Sequence, residues 1–312
     1  MTLETLRVIA FPGAPNLPLF AAMEHGFLAR EGLEVDLTLT PSSVFQAEQC
    51  AAGQCQIAMT AFDNVVAYTE GQGAAGPDVD PQYVVAMGAT QLELALVTTP
   101  DVQKVADLKG RTLALDALAT GFAFVLSEML ERAGLSREDT EFVAVGATPQ
   151  RWDSVKSGDH AGTLTIEPFT TIARRAGSNV IQTSSDLFDA YQGGVIAACK
   201  PFVKDNPEQL RGYLRAYLDG LDWVHDPANH AAAANLLQAR MPAIRPEAVE
   251  GVMRNLLNPA SGLTPGGAIL PAGMEQVLDL RTRHGPSGQG LNDIGKYLDL
   301  THMEAIAKER SA

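Results

Sequence analysis

Three carboxylates of this 312-residue chain, Asp63, Asp116 and Glu167, each stand just past a short apolar run that reads as a strand. In that position they could hold a ligand by charge-assisted hydrogen bonds. With a pKa raised beside apolar surface, one could also move a proton in a lyase or decarboxylase step. Neutral donors, acceptors and rings recur at the same kind of position. They are Pro12, Gly13, Asn16 and Leu17; Ser42 and Ser43; Thr60 and Phe62; Thr90 and Gln91; Thr120, Gly121 and Phe122; Phe169; and Tyr191 with Gln192. In open α/β sheets the ligand crevice lies at the carboxyl ends of the strands, so the convergence of these residues predicts a ligand cleft. Singly, each has a plainer reading: Asp63, Thr120 and Ser42 or Ser43 as helix N-caps, Glu167 before Pro168 as an exposed helix start, Phe62 and Phe122 as core.

Neither Lys nor Arg occurs in segments 12–17, 41–43, 60–64, 90–91, 116–122, 165–169 or 191–194. No fork for a dicarboxylate or phosphate is therefore expected there. One anionic group could still rest on the N–H groups where a helix begins at Thr120 and Gly121, which keeps a monosulfonate or monocarboxylate open. The three carboxylates and the rings favour a neutral or cationic, nitrogen-containing, aromatic ligand.

The common catalytic and cofactor signatures are missing: there is no G-x-x-x-x-G-K-[ST], G-x-G-x-x-G, H-E-x-x-H or G-x-S-x-G. No two of the six histidines stand three or four positions apart, and His225 and His230 flank an Asp226-Pro227 helix junction as capping or surface residues. No metal and no cofactor is expected. Of the cysteines, Cys50, Cys55 and Cys199, an odd number cannot all pair. The sequence predicts no disulfide framework, with Cys50 and Cys55 as small buried hydrophobes around Gly53.

The elements that must position these residues alternate. Strands are expected at Leu6 to Phe11, Leu33 to Leu39, Ile57 to Thr60, Tyr83 to Ala89 and Leu92 to Thr98, with helices at Leu17 to Glu24, Phe45 to Ala52 and Asp63 to Thr69. A second series starts after Asp107-Leu108-Lys109-Gly110, with strands at Thr112 to Leu115, Phe142 to Val145, Gly162 to Ile166 and Val180 to Gln182. Its helices are one bearing Phe122, Val125, Leu126, Met129 and Leu130, one near Trp152 to Ser157 and one at Phe169 to Arg175. After Cys199 only helices are expected, including those opened by Pro207, Asp226-Pro227, Pro246 and Pro271. Stretches at Gly71 to Pro81, Pro259 to Gly273 and Gly285 to Gly290 read as surface loops. The whole is an α/β chain with largely parallel strands.

Hydrophobic residues make up 46% of the chain, and 23 basic against 37 acidic side chains leave a net charge of −14. That is enough apolar material for a large core, and the wrong sign for nucleic acid or an anionic membrane surface. No apolar window is long enough to span a membrane, and Val8 to Met23 is broken by Pro12, Pro15 and Pro18, so no membrane insertion is expected. Met1 runs almost directly into the first strand. Hence the expected location is cytoplasmic if Met1 is the native start and periplasmic if an export signal has been removed.

The run Leu17-Pro18-Leu19-Phe20-Ala21-Ala22, followed by Glu24-His25-Gly26-Phe27-Leu28-Ala29-Arg30-Glu31-Gly32-Leu33-Glu34-Val35, resembles the opening of type II solute-binding proteins of the nitrate, sulfonate, taurine and thiamine-pyrimidine branch. Ala52 to Ala58, Asp107 to Arg111 and Asn206-Pro207-Glu208 match further segments, with Cys55-Gln56 replacing an acidic position. The resemblance implies two α/β lobes, 1–94 with 194–312 and 95–193, with crossing strands near Leu92 to Thr98 and Gln192 to Ala197, a cleft between the lobes and a helical C-terminal segment. It further implies a monomer or weak dimer that closes like a hinge on a small molecule and hands it to an ABC permease. The same fold carries cytoplasmic enzymes and sensors. For that alternative Glu167, Asp63 and Asp116 are the acid/base groups, while the desulfinase cysteine has no counterpart in Pro12-Gly13-Ala14-Pro15-Asn16.

Overall fold

The computed structural model describes residues 2–286 and 290–311, so the expected Gly285 to Gly290 loop lies partly outside the described residues. Strand β1 (Glu4–Ala10) is followed by α1 (Leu17–Glu24) and α2 (Phe27–Arg30), β2 (Leu33–Leu39) by α3 (Ser43–Ala51), β3 (Ile57–Ala61) by α4 (Phe62–Thr69), and then comes β4 (Tyr83–Thr90). The second series is β5 (Ala95–Thr98), β6 (Thr112–Leu115), α5 (Gly121–Arg132), β7 (Glu141–Ala144), α6 (Thr148–Ser157), β8 (Gly162–Thr165), α7 (Phe169–Arg175) and β9 (Asn179–Thr183). After β10 (Gly194–Cys199) come α8 (Lys200–Asp205), α9 (Pro207–His225), α10 (His230–Arg240), α11 (Pro246–Leu256), α12 (Pro271–His284) and α13 (Thr301–Ser311).

Two five-stranded sheets result, ordered β2-β1-β3-β10-β4 and β7-β6-β8-β5-β9. The pairs of β1 with β2 and β3, and of β6 with β7 and β8, are parallel. The strand that arrives from the other series is antiparallel in each sheet: β10 between β3 and β4, and β5 between β8 and β9. Both sheets are therefore mixed rather than largely parallel.

The crossings differ from the sequence expectation. Leu92 does not begin a strand; it sits at φ 59° with its N–H on Thr90 Oγ1 at 2.9 Å, and β5 starts at Ala95. Nor is Gln192 to Ala197 a crossing strand. Residues from Gly194 onward pair with Thr90 and Ala61 of the first sheet, and the buried Gln192 amide is spent on Gly194 O at 2.9 Å and Thr90 O at 3.3 Å. The chain passes between the sheets through residues 91–94 and 184–193.

One core packs α1 and α9 on the first sheet, with Leu17, Leu19, Leu210, Leu214, Tyr217 and Leu221 against Leu6, Val8, Ile57 and Ile196. A second core runs from the other face of that sheet into the second one, joining Phe62, Val65 and Val85 to Leu96, Leu113, Phe124 and Met129 through Met274, Val277 and Leu278 of α12. Helix α12 thus touches both series, which its place in the C-terminal segment does not suggest. Full burial of one such side chain is worth about 1.5–3 kcal/mol, so these shared residues set how the two sheets sit.

Cys50 and Cys55 form a disulfide, which corrects the expectation of two unpaired residues. Gly53 at φ 68° lets the chain reverse after α3, with Gly53 N on Cys50 O at 3.0 Å. That turn brings the two Cα atoms to 4.9 Å, within the span a disulfide bridges.

Candidate functional site

The carboxyl ends of β1, β3 and β4 face those of β6 and β8 across a cavity of about 90 Å³, several times the ~10–15 Å³ that one water occupies on this measure. From the first sheet it is lined by Phe11, Gly13, Pro15 and Asn16 after β1, Met59, Thr60 and Ala61 at the end of β3, Asn64 in α4, Ala89 and Thr90 of β4, Leu92, and Gly194 and Val195. The second side contributes Asp116, Thr120, Gly121, Phe122, Thr148, Arg151 and Ile166.

Local rules place most of these groups. Asn16 ends a one-turn 3-10 helix and is held by its Nδ2 donating to Phe11 O at 2.8 Å. Asn64, one turn after Thr60, donates to Thr60 Oγ1 at 2.9 Å. Asp116 follows β6 and accepts the N–H of Ser43 at 3.1–3.2 Å, so a carboxylate from the second side sits on the first turn of α3, where the helix dipole favours negative charge. Ser42 caps that helix by accepting from Phe45 N at 3.1 Å. The glycine at the start of α5 answers a close approach, because a Cβ at Gly121 would lie 2.8 Å from the Asp63 Cβ.

Arg151 is a site residue that the segment-by-segment reading passed over, since it lies in the first turns of α6 rather than directly after a strand. It is 2% exposed and donates to Gly146 O at 3.2 Å, Thr148 Oγ1 at 3.0 Å and Leu164 O at 3.1 Å. Its guanidinium carbon stands 5.2 Å from the Phe122 ring centroid, while its buried Nε has no partner among the described residues. Burial pulls the guanidinium down to about 10, against the opposing charge of Asp116; it stays protonated at neutral pH. The expectation of a cleft without a basic group is thereby corrected: the cavity holds one guanidinium and one carboxylate.

Several expected residues lie elsewhere. Asp63 caps nothing; it is 1% exposed and locked to Arg281 of α12 by two bonds of 2.7 Å. Arg281 also donates to Ala119 O at 3.3 Å and lies over Phe124, so the pair braces α4, α12 and the loop before α5. Thr120 stands at the N-cap of α5, but its hydroxyl donates back to Ala117 O at 3.2 Å. Glu167 is not in the cavity wall: its carboxylate accepts from Asn255 Nδ2 at 2.6 Å and Thr171 Oγ1 at 2.9 Å, its carbonyl accepts from Ala14 N at 2.9 Å, and burial pushes its pKa up against those bonds. The expected trio of carboxylates therefore does not converge, and Asp116 alone of the three lines the cavity.

Leu17 and Phe62 are core residues, Phe62 edge-on to Tyr297 at 5.7 Å. Phe169 packs with Trp152 and Val97, and Tyr191 stacks on Phe188 at 6.0 Å. Gln91 donates to Pro259 O at 2.8 Å, and Pro12, Ser42 and Ser43 are also outside the lining.

A family model described as the NMT1-like family matches residues 3–238. Over 253 residues, 78% of this chain and 74% of the relative, the sequence is 24% identical to a formylaminopyrimidine-binding protein of Halalkalibacterium halodurans. Among solved structures, a protein from Bordetella bronchiseptica RB50 superposes with a TM-score of 0.78 at 19% identity, covering 99% of this chain and 98% of that one. The periplasmic aliphatic sulphonate binding protein SsuA of Escherichia coli superposes with a TM-score of 0.68 at 20% identity, covering 95% and 92%. The fold of this chain is the two-lobed periplasmic-binding-protein fold.

Proposed function

The chain belongs to the NMT1-like family, and from that premise we propose that it is the solute-binding component of an ABC-type uptake system, closing two lobes on a small organic ligand. The lobes are residues 1–94 with 194–312 and residues 95–193, hinged at the two crossings. The observation that carries the reading is the cavity between the two sheets, with Asp116 and Arg151 in walls otherwise made of hydroxyls, amides and apolar groups.

Those groups fit a flat heterocycle that offers an acceptor to Arg151 and an N–H or amino group to Asp116, with its ring against Phe122 or Phe11. The name of the Halalkalibacterium relative supports this class. The Cys50–Cys55 bond supports a site of action outside the cytoplasmic membrane, where disulfides persist. No helix among the described residues is long and apolar enough to cross a membrane.

A thermal-shift panel of aminopyrimidines, aliphatic sulfonates and dicarboxylates tests the reading. Aminopyrimidines are expected to raise Tm, and Asp116→Asn to weaken them more than tenfold, since a charge-assisted hydrogen bond is worth about 1.5–3 kcal/mol. Stabilisation by dicarboxylates alone, or Asp116→Asn binding as tightly as the parent, overturns it.

A further inference from the structure

At the end of the first sheet away from the cleft, three sulfur atoms meet. Cys50 stands at the end of α3, Cys55 in the turn before β3, and Cys199 is the last residue of β10. Sheet register makes the meeting obligatory: Ala198 pairs with Ile57 across β10 and β3, and Cys199 N donates to Gln56 O at 3.0 Å. The three Sγ atoms lie within 4.8 Å of one another, and the Cys199 thiol leans on Cys55 O at 3.6 Å. All three residues are buried, at 4%, 5% and 7% exposure.

A second cavity, of about 300 Å³, opens directly over this cluster, lined by all three cysteines together with Gln56, Asp80, Pro81, Phe202 and Asp205. It supplies an entry path, and the two aspartates at its walls favour cations over anions.

We propose that, when the Cys50–Cys55 pair is reduced, the three cysteines form a thiolate site for one thiophilic d10 metal ion of the zinc and cadmium class, with water or an aspartate of the overlying cavity as fourth ligand. Three sulfurs held ~2.3 Å from one ion lie about 3.8–4.0 Å apart, within the separation the backbone already imposes. Soft sulfur ligands select such ions over magnesium or calcium. The balance of the step is simple. A dithiol gives the disulfide two electrons and two protons and is itself oxidised to a disulfide, or a phosphine gives the two electrons and takes the oxygen of one water to become its oxide while that water's two protons go to the sulfurs; either leaves two thiols, and the metal then displaces one proton from each of three thiols into solvent. The other cluster of ligand types, Glu128, Glu131 and His284, is already neutralised by Arg283 and Arg132 on Glu128.

The test uses the full chain, reduced with a phosphine under nitrogen, freed of it and titrated with Cd2+. One equivalent is expected to bind, with a thiolate-to-cadmium charge-transfer band, while the oxidised protein shows no such band. Cys199→Ala is expected to weaken the reduced protein's binding at least tenfold. The Cys50→Ala/Cys55→Ala double variant, which leaves one thiol, is expected to lose the band whether or not Cys199→Ala folds. Absence of a one-to-one endpoint in the reduced parent, or equally tight binding by either variant, overturns the site. Because the cluster lies away from the cleft, ligand-induced thermal shifts are expected to stay as they are in the disulfide form, which separates this result from the transport reading.

Discussion

Removing one member of the Asp63–Arg281 pair leaves a charge in a place with no water to receive it, because both side chains are only 1% exposed. Breaking a buried pair in this way costs about 3–5 kcal/mol, whereas removing both charges together costs far less. Asp63→Ala and Arg281→Ala are therefore each expected to lower the urea midpoint strongly, and the double variant to fall by less than the sum of the two. Strict additivity in that cycle would show that the bracing described for this pair is wrong. The role of Asp63 was not legible in the sequence, because its partner stands 218 positions away. Ser42 was legible, because a cap is a rule about four consecutive residues and its hydroxyl does accept from Phe45 N.

At the scale of elements, α12 is bolted to α5 by Glu128, which accepts from Arg132 Nε at 2.8 Å, Arg283 at 2.5 Å and His284 Nε2 at 3.2 Å. Burial alone would raise this carboxyl, but the hydrogen bonds outweigh it and hold the group at about 2, below its ordinary 4.5. A carboxyl depressed in the folded state contributes stability above pH 4.5 that is lost as pH falls toward 2. Glu128→Gln is expected to be less stable at pH 7 and to show a shallower loss of Tm over that acid window; a slope equal to the parent's would contradict the brace. The strands and helices themselves were readable, since hydrophobic periodicity is local. What periodicity cannot show is Arg151, which reaches the cavity from the first turns of a helix, or the meeting of Cys50 and Cys55, which depends on the left-handed turn at Gly53.

At the scale of the molecule, hydrogen bonds join the two sides of the cavity. The second side is tied to the first by Ala14 N on Glu167 O at 2.9 Å, Ala147 N on Pro41 O at 2.8 Å, Asn255 Nδ2 on Glu167 Oε1 at 2.6 Å and Ser43 N on Asp116. Asn255→Ala removes one tie without touching the cavity wall. It is expected to enlarge the radius of gyration of the ligand-free protein in X-ray scattering and to weaken ligand binding several-fold. An unchanged scattering curve with unchanged affinity would count against hinge closure. The place of β10 has a further consequence for how the chain is made. It is the fourth strand of the first sheet, inserted between β3 and β4, yet it follows the whole second series in sequence. During synthesis β4 has no neighbour until residue 199 has left the ribosome, while every strand of the second sheet lies within 95–183 and can pair earlier. The later-made lobe is thus the first able to complete its sheet, and the N-terminal one waits for it.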